Sequence, residues 1–554
     1  MSSDTGYRGV KWNEPIIYQL SKKGRRGFIP PKIEEEVKLQ VGDVLAELPD
    51  GIRRKHPPPL PELSEPQVVR HYIRLSQQNF GVDSGINVGV GTTTLKYNPK
   101  INEALARSPK IADLHPLQDE STVQGILQIV HQLGIWLCEI SGMDECSVQP
   151  RAGASAVFAN ARIIAACHKS LGEDQKDEII TTVLSHPCDG AAPAMAGYKV
   201  ITLYPDEETG VPDIEAFKAA ASKHTAGLMI TDPYDTGVFD PNLEEYIKIV
   251  HEVGGLVAID QANANSVLGR LRVGDVGADL CHFNLHKSFA VPHASAGPGS
   301  APICVKKKLA RFLPVPQVRL ADDKYYLDYN LPDSIGKVGG FFGVIPNVLR
   351  AYAWILSMGG EGLHATSEVA VMNNNYLIKK LQEVRGVSLP WCSPHPFRLQ
   401  EARFSLKQMK KDTGIGIDEI NRRIVDFGVQ RCFTSHEPWL VPEPFTPEPP
   451  ESATKEDLDR FVEIFHQLSK EAYSAPETIR TAPHNCSISK IDMSYSHDSK
   501  WALTWRAYTK KYVEAADRIP ITEVGNTVAC SSGTPEQDEE VAQAGVTAIK
   551  QHIK

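Results

Sequence analysis

At 554 residues, with 42% hydrophobic and 23% charged residues, the chain is long enough to bury a large core and to divide into two or three lobes. Against 68 acidic residues stand 59 basic ones, a net charge of −9 with no extended Lys/Arg block; this excludes the electrostatic footprint of a nucleic-acid binder and leaves small molecules or proteins as partners. The 10 cysteines lie scattered without CxxC spacing, and neither a secretory leader nor an apolar run of ~20 residues is evident, so the expectation is a cytoplasmic protein with no membrane span and no metal framework.

Residues 1–65 are polar and proline-rich, ending in HPPPLPELSEP, and suit an extended arm able to wrap a neighbouring chain; at least a dimer is expected. Over 66–339 the pattern becomes that of a large α/β domain. The run QGILQIVHQLGIWLCEISG is amphipathic at helical spacing and stops at Gly142, and ASAVFANARIIAACHKSLG forms a second helix after a glycine-containing turn. Strands are predicted at EIITTVLS, YKVITLYP, AGLMITDP, GGLVAIDQ and LCHFNLH, with DIEAFKAAASKH and NLEEYIKIVHEVGG as intervening helices, the alternation of a parallel sheet with crossovers. A smaller α+β domain over 340–526 carries the charged helix ATKEDLDRFVEIFHQLSKEAYS, and 527–554 reads as a solvated polar tail.

Open α/β sheets bind ligands beyond the carboxyl ends of their strands, and three features stand there. Asp260 ends the strand GGLVAID, Lys287 follows CHFNLH, and Arg151-Ala-Gly-Ala-Ser155 opens a helix whose free amides suit a phosphate. Singly, each has an ordinary reading: a surface lysine, a turn-forming aspartate, a simple chain reversal. In this order and spacing they are the parts of a pyridoxal 5'-phosphate site: an amine for a Schiff base, a carboxylate to keep the pyridine nitrogen protonated, and an anion cradle.

The segment NLHKSFAVPHASAGPGSAPICV (284–305), preceded by DQANAN (260–265), resembles the pyridoxal phosphate segment of the glycine decarboxylase P-protein family, most closely its second subunit in two-subunit forms. EPIIYQLSKKGRRGF, RLSQQNF, LKYNPKINE, ISGMD, AMAGYKV, SIGKV and ESATKEDLDRF extend the likeness over roughly residues 14–510. The resemblance implies a fold type I, aspartate aminotransferase-like enzyme acting at the α-carbon of an amino acid through an internal aldimine on Lys287, with Asp260 on the pyridinium nitrogen and His186 stacked on the ring. It further implies cofactor contacts from Gly153, Ala154, Ser155, Asn263 and His286, a homodimer or hetero-oligomer, and a lipoyl carrier protein that receives the aminomethyl group left when glycine loses carbon dioxide.

Five departures from the family pattern surround these parts. Cys188 and Asp189 replace a Thr-Asn pair, the second exchanging a neutral amide for an expected charge; Arg151 and Ser155 stand where the family has Ala and His. Asp232, Tyr234 and Asp235 replace Asn, Asn and Thr around Pro233, Thr93 stands for a cysteine, and Ala294-Ser295-Ala296-Gly297 follow His293 in place of a glycine run. Arg151, Cys188, Asp189, Tyr234, Asp235 and Thr93 are therefore the candidate substrate-binding residues. Two enzymatic readings follow: glycine decarboxylation, which requires Asp189 and Asp235 to turn away from a substrate carboxylate, or a repurposed pocket for a larger amino acid (transamination, aldol-type cleavage or carbon–carbon bond formation). A cofactor-free partner subunit is a third reading, disfavoured by Lys287 and Asp260.

Overall fold

The structure, a computed structural model, describes residues 14–486 apart from 26, 28–30, 45, 47, 55–57, 59, 82, 84, 87, 293–298 and 393. The substitutions after His293 and the expected tail at 527–554 therefore lie outside the described residues. Described residues up to Phe80, with Thr481–Cys486, belong to one unit, and Gly81–Arg480 form another.

The first unit's described residues run on to Phe80, past the boundary expected at 65. Its helix Glu35–Val41 buries none of its residues, leaving Val37, Leu39 and Val41 exposed. The helix Glu65–Gln77 starts where the Ser64 amide donates to Gln67 Oε1 (3.1 Å), with a proline in the first turn, where its missing N–H costs nothing. Buried His71 on this helix pairs with Glu14 at 2.8 Å.

The second unit is built on seven strands: β1 (Glu145–Ser147), β2 (Glu178–Thr182), β3 (Lys199–Leu203), β4 (Thr225–Thr231), β5 (Leu256–Gln261), β6 (Leu280–Phe283) and β7 (Ile303–Val305). They form one sheet in the order β1-β7-β6-β5-β4-β2-β3. The five strands predicted from apolar runs are β2 to β6, and they are parallel. Both β1 and β7 are short additions, β7 running antiparallel to β1 and β6. Helix Gln124–Ser141 stops at Gly142, whose φ of 72° glycine adopts without a Cβ penalty. Helix Gly153–Ser170 sits in one buried cluster with the sheet, placing Ala156, Ala159 and Ile163 with Ala226, Ala258 and Ile303. Each large aliphatic side chain fully buried in this way contributes about 1.5–3 kcal/mol.

A hairpin follows, β8 (Gln317–Ala321) and β9 (Lys324–Asp328), turned by Asp322 and Asp323 at φ 49° and 59°. The chain then continues through Ile345–Leu381, two helices joined at Gly359, where φ 63° and ψ −177° break the helical path. The charged helix is present as Lys455–Ser474, with Thr454 Oγ1 accepting from the Asp457 amide (3.2 Å). A second core cluster of this unit stacks Phe404 of β10 (Phe404–Ser405) on Phe445 of β11 (Pro444–Phe445), ring centroids 5.1 Å apart, and Phe445 on Phe465 at 4.7 Å. Among the described residues no helix is long and apolar enough to cross a membrane.

Candidate active site

Adjacent parallel strands bring the two central residues together. Asp260 lies near the end of β5, in register with His282 of β6, and Lys287 follows β6 on a turn closed by its amide to the Asn284 carbonyl (3.0 Å). Asp260 is buried; its Oδ1 accepts from the Ala262 amide at 2.7 Å and lies 3.3 Å from His282 Nε2. Burial holds the His282 imidazole below its ordinary range, against the pull of Asp260. Lys287 is 9% exposed, and its Nζ makes no hydrogen bond or ion pair among the described residues. His286 is held by Ser300: its Nδ1 lies 3.1 Å from the Ser300 carbonyl oxygen and amide nitrogen, and burial, then the neighbouring Lys287, push its pKa down to about 4.

The anion cradle is the start of the Gly153–Ser170 helix. The amides of Gly153, Ala154 and Ser155 make no internal hydrogen bond among the described residues, as expected of a first helical turn. Gly153 packs closely: a Cβ there would lie 3.0 Å from Asn284 Nδ2, and buried Asn284 Oδ1 has no partner. The Ser155 hydroxyl, expected as a further donor, is engaged by its own helix end, donating to the Ala152 carbonyl (2.8 Å) and accepting from the Ala152 amide (3.0 Å).

The loop after β2 supplies His186, whose amide donates to Thr231 Oγ1 (2.9 Å). Burial holds its imidazole below the ordinary range, opposed by Asp260 and Asp235. Two neighbours expected to face substrate do not. Asp189 turns into the core, accepting from Thr231 Oγ1 at 2.7 Å; burial, reinforced by the Asp260 charge, holds its carboxyl well above the ordinary range. The carboxyl that the sequence adds at this position is thereby held inside the core by Thr231. Tyr234 is fully buried and donates to Asp240 (2.6 Å), a core role that corrects its assignment to the substrate. Cys188 is half-buried, its thiol pushed up to about 11 by burial and the Asp189 charge.

Asp235 does enter the site, but paired. Its Oδ2 lies 2.9 Å from His436 Nδ1, and the His436 ring meets His186 edge-on, centroids 4.7 Å apart. Burial raises the Asp235 pKa, but the His436 hydrogen bond and the charges of Arg403 and His186 outweigh it, leaving the carboxyl below its ordinary value. Arg403, immediately before β10, is 1% exposed, and both its Nη atoms lack partners. Arg151, the arginine singled out in the sequence, is instead exposed along Gly339 and Gly340.

One loop is clasped between these parts. Thr92 and Thr94 adopt φ of 59° and 42°, with Thr93 half-buried between them. The Thr92 amide donates to Glu401 Oε2 (2.7 Å), and Thr94 Oγ1 donates to Glu448, which also accepts from Asn263 Nδ2 (2.9 Å). Burial holds Glu401 well above the ordinary carboxylate range and raises Glu448 as well. Lys96, buried, closes the loop on Asn265 (3.0 Å) and Glu451 (2.9 Å). Arg403, His436, Glu401 and Glu448 were not singled out in the sequence. The available signal was charge inside short apolar context, as in EARFS and FTSHEPW, without any indication of what it faces.

The arrangement fits pyridoxal phosphate: a buried, unpartnered lysine, a carboxylate one strand away, and free helix amides at a closely packed glycine. The class follows from fold and comparison together. An aminotransferase class-V model matches residues 154–309, and solved structures share the fold: a glycine decarboxylase (P-protein) of the glycine cleavage system in inhibitor-bound form (TM-score 0.66, 20% identity, covering 80% of this chain and 100% of that one) and the cysteine desulfurase CsdA of Escherichia coli (TM-score 0.53, 15% identity, 72% and 98%). This is an α/β fold type I enzyme of the pyridoxal phosphate class. A glycine dehydrogenase C-terminal domain model matches residues 366–487, and probable glycine dehydrogenase (decarboxylating) subunit 2 proteins of Pyrococcus horikoshii (46% identical over 504 residues, 91% of this chain and 98% of that one) and Staphylothermus marinus (40% over 519 residues, 91% and 98%) align along nearly the whole length. The chain belongs to the glycine dehydrogenase (decarboxylating) subunit 2 family. Neither a repurposed pocket nor a cofactor-free partner is favoured by these relatives.

Proposed function

We propose that the chain binds pyridoxal phosphate at the carboxyl ends of β5 and β6 and decarboxylates glycine, passing the aminomethyl group to a lipoyl carrier as one subunit of a hetero-oligomer. The observation that carries this is Lys287, a buried amine without an internal partner beside Asp260, since burying an amine with nothing to bind is costly unless a ligand completes it. Lys287 would hold the cofactor covalently, Asp260 its ring nitrogen in the protonated form, and the amides of Gly153, Ala154 and Ser155 its phosphate. Asn263, fixed by Glu448 and Thr94, and His286 border the same space, and His186 is assigned to the ring face. When bound, the cofactor supplies an electron sink for the pair left on the α-carbon.

The chain's own residues do the rest. Arg403 grips the substrate carboxylate, and the carboxyls that would repel it are removed: Asp189 by turning into the core, Asp235 by pairing with His436. The supporting relatives carry subunit numbers, which is the ground for a companion subunit here. Borohydride treatment of cofactor-loaded protein tests the reading: the label is expected on Lys287, and labelled bicarbonate is expected to exchange into glycine. Label on another residue, or no exchange with companion subunit and lipoylated carrier present, would overturn it.

A further inference from the structure

We propose that His436, oriented by Asp235, is the base that takes the ammonium proton of the incoming amino acid whose carboxylate Arg403 binds. This rests on the function proposed above and specifies how the substrate is received.

An α-amino acid arrives as a zwitterion, and an ammonium nitrogen has no lone pair with which to react. The pocket offers one group for each end. Arg403 presents two unpartnered Nη atoms to the carboxylate. His436 supplies the other function through its fixed tautomer: the Asp235 carboxylate only accepts, so Nδ1, 2.9 Å away, carries the hydrogen and the neutral ring's lone pair is on Nε2. No hydrogen bond to Nε2 is present among the described residues. The ring plane is set by two edge contacts, His186 at 4.7 Å and 69° and Phe433 at 5.1 Å and 62°. The side chain keeps 25% of its surface exposed, so a substrate can reach it, while its partner Asp235 is only 8% exposed.

In the step, the substrate N–H bond breaks and its electron pair stays on nitrogen. The proton forms a new bond at Nε2, and the resulting imidazolium is stabilised by Asp235. No oxidant or reductant is involved. The charged groups around the pair are His186, Arg403 and the adjacent Glu437, with Glu401 and Asp189 acting on it through Asp235. His436 would be a catalytic residue and Asp235 a positioning residue.

The test compares two nucleophiles on full-length, cofactor-loaded protein by rapid-mixing absorbance. Glycine needs its proton removed; aminooxyacetate, whose weakly basic nitrogen is already unprotonated at neutral pH, does not. His436→Gln is expected to slow the reaction with glycine about 100-fold at pH 7, with the deficit shrinking as pH rises and with partial rescue by added imidazole, while aminooxyacetate stays within about threefold of wild type. Should His436→Gln fail to fold, Asp235→Asn, nearly the same shape, is expected to show the same selective loss. Equal losses for both nucleophiles would make the pair merely structural and overturn the proposal, as would no loss for either. A wild type that takes glycine while the variant takes it equally fast refutes the proposal alone; a wild type that ignores glycine with the companion subunit and lipoylated carrier present refutes the function reading and the proposal with it.

Discussion

Replacing Arg403 by glutamine isolates the group assigned to the substrate carboxylate. Arg403 is 1% exposed with both Nη atoms unpartnered, so a bound carboxylate gains two charge-assisted hydrogen bonds, about 1.5 kcal/mol each in net terms. Losing both costs about 3 kcal/mol, or about 10²-fold in affinity at 1.4 kcal/mol per decade. Because the carboxylate sheds its charge as carbon dioxide forms, the clamp holds the bound substrate at least as well as the transition state. The loss is therefore expected in KM rather than kcat. Initial rates of bicarbonate exchange into glycine, measured over a wide glycine range, read both constants. An unchanged KM, or a fall in kcat alone, would refute the clamp.

Other outcomes follow from the same geometry. Lys287→Ala is expected to abolish borohydride-stable labelling and turnover; retention of either removes the central residue. Gly153→Ala forces a Cβ to 3.0 Å from Asn284 and is expected to weaken cofactor retention on dialysis by about tenfold, with little change in the melting temperature of the cofactor-free protein. His286 has a folded pKa of about 4 against 6.5 unfolded, so below pH 6.5 the unfolded chain takes up a proton that the folded one does not. Stability is therefore expected to fall by about 3 kcal/mol between pH 6.5 and 4 from this residue, and His286→Gln should flatten that part of a denaturation profile.

The parallel core was legible because β2 to β6 are apolar runs bounded by turn residues, long enough to announce themselves. The strands β1 and β7, three residues each, carry no period, and the β8–β9 turn uses two aspartates where a glycine signal would be sought. The positions of Lys287, Asp260 and the 153–155 turn were legible because each sits at the end of a recognisable element, as proposed site residues. The orientation of Asp189 and Tyr234 was not legible, because sequence shows that a polar side chain is present and not which way it points; Thr231 and Asp240 hold them in the core. Arg403 and His436 were missed because their partners are remote, Asp235 lying 201 residues before His436, and nothing local marks the pairing.

The clasp on Thr92 and Thr94 bears on how the protein must assemble itself. Two β-branched residues in the left-handed region cost about 1–3 kcal/mol each, a conformation the loop does not hold unaided. The holding acceptors, Glu401 and Glu448, come from chain synthesised more than 300 residues later. The large lobe by itself thus contains Lys287 and Asp260 but not the finished chamber. The left-handed turn at Thr92 and Thr94 is therefore completed only once those later segments are in place.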